Sequence, residues 1–243
     1  MGLNATSILI ITIMSMNSTF FTLLQVADSI FPIGAYTQSN GLETYVQNGI
    51  VKDGKTAKEY LHNMLSYGIK YTDVLALKLA YEYTVQKDIS KLMELDEMLY
   101  ALKAPCEIKE GSSKMCGRFL KVSEKFSEKQ MLLKYTRLIK EGKCIGQHSI
   151  VFGMFCAEYG IDKMESISAY LYNSASCIVN NCAKLIPLGQ MEGQLILFES
   201  RELLKNIAQE IQDLSIEDLG RCTIGFDIKA MQHENLYSRL YMS

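Results

Sequence analysis

Apolar residues in this chain recur at intervals of three and four, and nowhere do they alternate with period two over a useful length. That spacing predicts an all-α fold with little or no sheet, a single helical domain of roughly eight to ten helices. The plainest case runs from Ala57 through Tyr60, Leu61, Met64, Leu65, Gly68, Tyr71 and Leu75 to Leu79. It reads as one long amphipathic helix, with Thr56 and Glu59 spaced as a capping box at its start. Ile89 to Leu102 is a shorter helix ended by Pro105. Ser127 and Gln130 repeat the capping spacing before Leu132, Leu133, Tyr135, Leu138 and Ile139, and Glu141-Gly142 supplies the stop. Glu110 to Lys114 is the most linker-like stretch and is expected to form a loop within the domain. Ile150 to Glu158 and Ile167 to Leu185 continue the helical pattern until Pro187-Leu188-Gly189 breaks it.

With 243 residues, 48% of them hydrophobic and 21% charged, the chain has globular composition and room for one sizeable core. A net charge of -2 and the lack of a Lys/Arg stripe argue against a nucleic-acid partner. The seven cysteines are odd in number and form no CxxC pair, so neither a disulfide framework nor a zinc site is expected, and a reducing cytoplasm fits. The first 27 residues carry no charge, yet the apolar run Ser7 to Met14 is too short to span a bilayer, and no Lys or Arg precedes Lys52. Neither secretion nor membrane association is expected. Met1-Gly2 with Thr6 matches only a permissive acylation pattern. Met14 or Met16 is the expected natural start, with residues 1–15 a disordered or upstream-read extension before the domain at 16–243.

Three stretches stand out. In DSIFPIGAYTQSNGLE, Pro32 fixes its own φ and Gly34 permits an angle other residues resist, so the preceding helix must stop. Asn40 and Glu43 then have the spacing of a capping pair for a second helix. In LGQMEGQLILF, Gly189 and Gly193 stand four apart, as do Gln190 and Gln194. A glycine inside a helix costs about 1 kcal/mol relative to alanine, so Gly193 implies close approach, either within the chain or by a partner. The closing stretch DIKAMQHENLYSRLYMS gathers Leu236, Tyr237, Leu240 and Tyr241 around Arg239 and His233 where chain ends ordinarily turn polar. Such a tail either docks on its own domain or anchors an interface.

DSIFPIGAYTQSNGLE, then AYLYNSASCIVNNCAKLIPLGQMEGQ, which overlaps the second stretch, then MQHENLYSRLYMS occur in the order and approximate spacing of the urease accessory protein F family, which the chain resembles from Leu23 to Ser243. HSIVFGMFCAEYGI also looks like that family's middle segment. Ala35, Gln38, Lys184 and Glu192 depart from its usual residues, and GSSKMCGRF matches only loosely, around Gly117 and Arg118. The resemblance implies an all-α, nonenzymatic protein of nickel urease maturation. It would dimerise, bind the accessory protein called D or H, and recruit the accessory GTPase G that carries nickel to apo-urease, helping to time GTP hydrolysis and metal release. The implied partner-binding residues are Asp28, Pro32, Gly34, Tyr36, Ser39, Gly41 and Glu43 in the turn. Pro187, Gly189, Gln190, Gly193 and Gln194 support them, and His233, Glu234, Arg239 and Tyr241 complete the set at the chain's end.

The residues themselves contain no GxxxxGK[ST] loop, HExxH or GxSxG, so no nucleotide hydrolysis, catalytic residue or cofactor is expected. Cys144 and His148 are four apart and could share a face, either as packing or as a metal contact; no metal ligand is assigned. Cys177 and Cys182 lie on or near an apolar helix stripe and are expected to pack as small hydrophobes. A direct nickel-binding metallochaperone is the alternative function.

Overall fold

The computed structural model describes residues 18–35, 38–221, 224–237 and 239–241. The expected 1–15 extension, Tyr36 and Cys222 lie outside the described residues. No strand occurs among them, and the all-α expectation holds. In chain order, α1 covers 18–26, α2 Leu42–Gln47, α3 Gly54–Asn63, α4 Leu75–Val85, α5 Ile89–Leu102 and α6 Cys106–Ser123. After them come α7 Gln130–Lys140, α8 His148–Glu158, α9 Lys163–Leu185, α10 Gln190–Glu199, α11 Arg201–Glu210 and α12 Ile224–His233. Met64–Val74 is a π-helix, so α3, this stretch and α4 make one unbroken rod over 54–85, the long helix predicted from the periodicity. Only Ser200 parts α10 from α11, so the described residues form ten rods.

The core is built on α4 and α8, with Leu75 to Ala80 and His148 to Cys156 buried, Lys78 among them donating to the Leu214 carbonyl at 2.8 Å. A Cβ built on Gly153 would lie 2.3 Å from the Leu77 carbonyl oxygen, so glycine is what lets the two backbones approach. From α6, Phe119 meets Phe152 and Phe155 of α8 at centroid distances of 6.1 and 5.3 Å. The 23-residue α9 packs against α2, α3, α4, α8, α10 and α11, which makes it the spine joining core to periphery.

Three local expectations are corrected. The long rod is capped one turn earlier than predicted: the Asp53 carboxylate accepts from the Thr56 amide at 2.9 Å, and Thr56 Oγ1 accepts in return from the Asp53 amide. Ser127 does not cap α7, because its hydroxyl pairs with that of Tyr159 at 2.8 Å. Glu158, at the end of α8, caps α7 instead by accepting from the Met131 and Leu132 amides at 3.0 and 2.9 Å. Glu110 to Lys114 is not a loop but part of α6, where its small residues serve packing. Gly111 makes room for the Gln38 amide, and Ser112 is buried, accepting from Lys103 and from the His148 amide.

Gly153→Ala should therefore destabilise the fold. Overpacking at a helix crossing costs about 1–3 kcal/mol, more than the roughly 1 kcal/mol alanine gains in helix propensity. A urea titration should show a lower midpoint; an unchanged or raised one would refute the close crossing. Glu158→Ala should cost about 1–2 kcal/mol by the same measurement, through loss of the α7 cap.

Candidate functional site

The Pro-Gly elbow is held from three directions. Its own residues begin the turn, with Asp28 Oδ1 accepting from the Ile30 amide at 2.9 Å. Phe31 is buried 5.5 Å from the Phe119 ring, and Arg118 donates to the Ile33 carbonyl at 3.0 Å. Gly34 takes φ +81°, the left-handed angle expected of it. From α9, Asn173 donates to the Ala27 carbonyl at 2.6 Å and Asn181 to the Gln38 carbonyl at 2.8 Å, so the spine grips both sides of the elbow. At its far end Gly41, with φ +82°, lies so close to α12 that a Cβ there would meet the Ala230 backbone at 2.8 Å.

Helix α2 begins where predicted but not as predicted. Asn40 is itself left-handed, and Gly41 is the N-cap without a side-chain bond. The Glu43 carboxylate is engaged elsewhere: it is buried and accepts from the Leu240 amide at 2.7 Å, the Tyr241 amide at 3.1 Å and His233 Nε2 at 2.7 Å. His233 Nδ1 lies 2.6 Å from Glu107 of α6, whose other oxygen accepts from Arg239. A carboxylate thus faces each ring nitrogen of His233, Glu43 of α2 on one side and Glu107 of α6 on the other. Lys184 of α9 lies 5.7 Å from the centre of the Tyr241 ring. The first and third stretches singled out in the sequence, the elbow and the chain's end, thus meet at Glu43, with α9 beside both.

Not every predicted residue is surface. Ser39, Glu43, His233 and Tyr241 are buried and act as struts, whereas Asp28, Pro32, Glu234 and Arg239 are exposed. Burial first, and Glu43 next, push the Tyr241 phenol up to about 12, and its hydroxyl has no hydrogen-bond partner among the described residues. Pro187, Gly189, Gln190 and Gln194 are exposed but belong to the α10 end of the structure, not to the Glu43 network. Gly193 is decided for packing within the chain: a Cβ there would lie 3.1 Å from Val179 of α9.

Periodicity reading missed two apolar stripes on the surface. On α12, Ile224, Ile228 and Met231 face out, continued by fully exposed Tyr237 and by Leu240. On α10, Met191, Leu195 and Phe198 do the same, with Met191 87% exposed. The signal was present, since both helices carry apolar residues on two faces and only one can face the core.

Beneath the elbow is a cavity of about 180 Å³ between the π-helical stretch, α6 and α9. On its wall Lys103 donates to Asp73 at 2.8 Å and to Ser112 at 3.2 Å. His148 also lines it, with Nε2 buried and without a hydrogen-bond partner among the described residues, and burial pushes its imidazole down to about 4. Cys144 does not join His148 in a site: it lies beside Asp96 and Cys116, and burial drives its thiol up to about 12. Cys182 is buried and Cys177 half-buried, both with raised thiols. Among the described residues no group of three or more His, Cys, Asp or Glu could hold a metal ion, and no helix is long and apolar enough to cross a membrane.

A family model for UreF matches residues 51–201. The chain belongs to the UreF family. Over 221 residues, 91% of this chain, it is 39% identical to the urease accessory protein UreF of Actinobacillus pleuropneumoniae serotype 5b (strain L20), covering 97% of that protein. It is 40% identical to that of Haemophilus influenzae (strain Rd), with 94% of the relative covered. The UreF of Bacillus sp. (strain TB-90) is 36% identical over 222 residues and 98% of its length. Family membership makes the chain a urease accessory protein.

Glu43→Ala should release the tail, because it removes the acceptor of two backbone amides and leaves His233 half-paired. Amide exchange at Leu240 and Tyr241 should then rise to unprotected rates while α4 and α8 stay protected; retained protection would disprove the clasp. For His148, the folded form resists protonation, so its contribution is complete above pH 6.5, its unfolded value, and is lost as pH falls from there toward about 4. The loss is on the order of 3 kcal/mol. His148→Gln should flatten that part of the stability-against-pH curve measured by denaturant titration, and an equally steep curve would reject it.

Proposed function

We propose that this chain is a cytoplasmic adaptor for nickel insertion into apo-urease. It dimerises, binds the accessory protein D/H, and recruits and regulates the nickel-carrying accessory GTPase, with no bond-making chemistry of its own. The observation that carries the reading is the assembly of the elbow, α9 and the chain's end around buried Glu43, with an exposed apolar stripe of α12 running out to Tyr237 and Leu240.

An adaptor needs docking faces that are already shaped, since ordering a loop on binding consumes affinity. Here the proline, the left-handed glycines and the asparagine bonds fix the elbow before any partner arrives. Large apolar side chains with a Tyr and an Arg beside them supply the type of anchor that dominates interface energies. Two stripes, on α10 and α12, give separate faces for a second copy and for an accessory protein.

Phe198→Glu and Met231→Glu test the reading, because both side chains are solvent-exposed and their replacement leaves the core intact. Each variant should retain the wild-type helical circular dichroism. Light scattering of mixtures with purified accessory proteins should show one variant failing to dimerise and the other failing to take up a partner. Urease activation in a host lacking the native gene should fall by about tenfold or more. Full-mass complexes and normal activation by both variants would overturn the adaptor surface.

A further inference from the structure

The chain's charge is unevenly distributed. Between Lys121 and Lys143 there are seven Lys or Arg against three Glu, a net of +4, while the remainder of the chain carries -6. No stripe shows in the linear sequence because the cations are scattered across the end of α6, the following turn and α7. Lys121 and Lys125 stand at the end of α6 and in the turn after it, and on α7 Arg137 and Lys140 lie one turn on from Leu133 and Thr136. Lys121, Lys125, Lys134, Arg137 and Lys140 are all exposed, and none forms an ion pair among the described residues. Helix dipoles account for Lys121, Arg137 and Lys140, each in or beside a last helical turn, but not for Lys125 or for mid-helix Lys134.

A groove of about 250 Å³ opens in the same region between the end of α6 and α7. Leu120, Leu132 and Leu133 give it apolar walls, and Lys125 and Lys129 alternate with Glu124 and Glu128 along its border. Lys129 is fixed there, donating to the Glu158 carbonyl at 3.0 Å. Phe126 and Leu133 expose about two-fifths of their surface beside the groove.

We propose that this face docks an acidic partner protein, which seats an apolar side chain in the groove and sets carboxylates against Lys125, Lys134, Arg137 and Lys140. The proposal rests on the adaptor reading and adds a docking face to it. Glu107 of the tail clasp and Lys121 stand fourteen residues apart on α6, or about 21 Å at 1.5 Å per residue, so the new face lies outside the clasp. Two features favour a protein over a nucleic acid or an anionic membrane. Exposed Glu124 and Glu128 among the cations would repel a uniform array of phosphates, and a concave apolar groove fits a single side chain.

The test is a Lys134→Glu/Arg137→Glu/Lys140→Glu variant beside a charge-keeping Lys134→Arg/Lys140→Arg control. Both are titrated with apo-urease and with each purified accessory protein at 50, 150 and 300 mM NaCl. The wild-type chain should bind one of these proteins more weakly as salt rises. The reversal variant should bind that protein about tenfold or more weakly at 50 mM while its other associations and circular dichroism stay unchanged, and the control should bind normally. If the wild type assembles and the reversal variant assembles equally well, this proposal falls and the adaptor reading stands. A wild type that binds none of the proteins overturns both. A duplex 20-mer DNA and vesicles containing phosphatidylserine are titrated in parallel. Tight binding there, lost on reversal, with protein association unaffected, would reassign the face to phosphate and overturn the protein partner.

Discussion

A carboxylate removed from water must be met by donors, and Glu43 is met by three: two successive backbone amides from the chain's end and a histidine ring. Leaving such a charge unpaired costs several kcal/mol, so Glu43 and the tail are obligatory partners. The network extends through His233 to Glu107 and Arg239, which ties α2, α6, α12 and the last residues together. The part of the proposed partner-binding surface made by the elbow, α12 and the chain's end follows from this arrangement, because it determines where the exposed residues around it stand.

The clasp requires a rigid base, and that comes from the centre of the molecule. Gly153 lets α4 and α8 meet at backbone distance, and Phe119 carries the packing outward from α8 to Phe31 in the elbow. The α9 spine adds the hydrogen bonds from Asn173 and Asn181. Both are directional contacts to main-chain carbonyls, so they fix where the elbow lies as well as holding it closed. Polar residues on a buried helix face thus serve geometry, while the neighbouring Ile178 and Cys182 serve packing.

Periodicity made the helices legible because burying one face requires a repeat near 3.6 residues, and each long rod shows it. The Pro32-Gly34 elbow was legible for a similar reason, since few residues tolerate those backbone angles. Contacts between distant residues were not. Nothing local marks Glu158 as the cap of a helix that precedes it, and nothing near Glu43 reveals that its partners lie some 190 positions later. The Asn40–Glu43 spacing even suggested a local cap, which lost to the stronger donors at the chain's end. Gly111 and Ser112 resembled a linker because small residues suit both loops and tight helix packing, and only the neighbouring elements decide between them. Exposed stripes on α10 and α12 are not legible from spacing, because apolar residues at helical intervals mark a core face and a docking face alike.

Buried charge and exposed apolar surface contribute differently at this site. An apolar stripe such as Ile224, Ile228 and Met231 offers non-directional attraction of about 25 cal/mol for each Å² covered, which gives affinity but tolerates sliding. The Glu43 network tolerates none. Moving the tail by one residue would still offer backbone amides to the carboxylate, but it would take Arg239 away from Glu107 and the Tyr241 ring out of its buried seat, so a single register satisfies the whole network. Net stability is a weak reason to bury such a network, since an apolar cluster of equal volume does as well or better. Register is the stronger one: it fixes where Tyr237, Arg239 and Leu240 stand relative to the elbow, and a composite surface made of distant segments has one shape only if that relation is fixed.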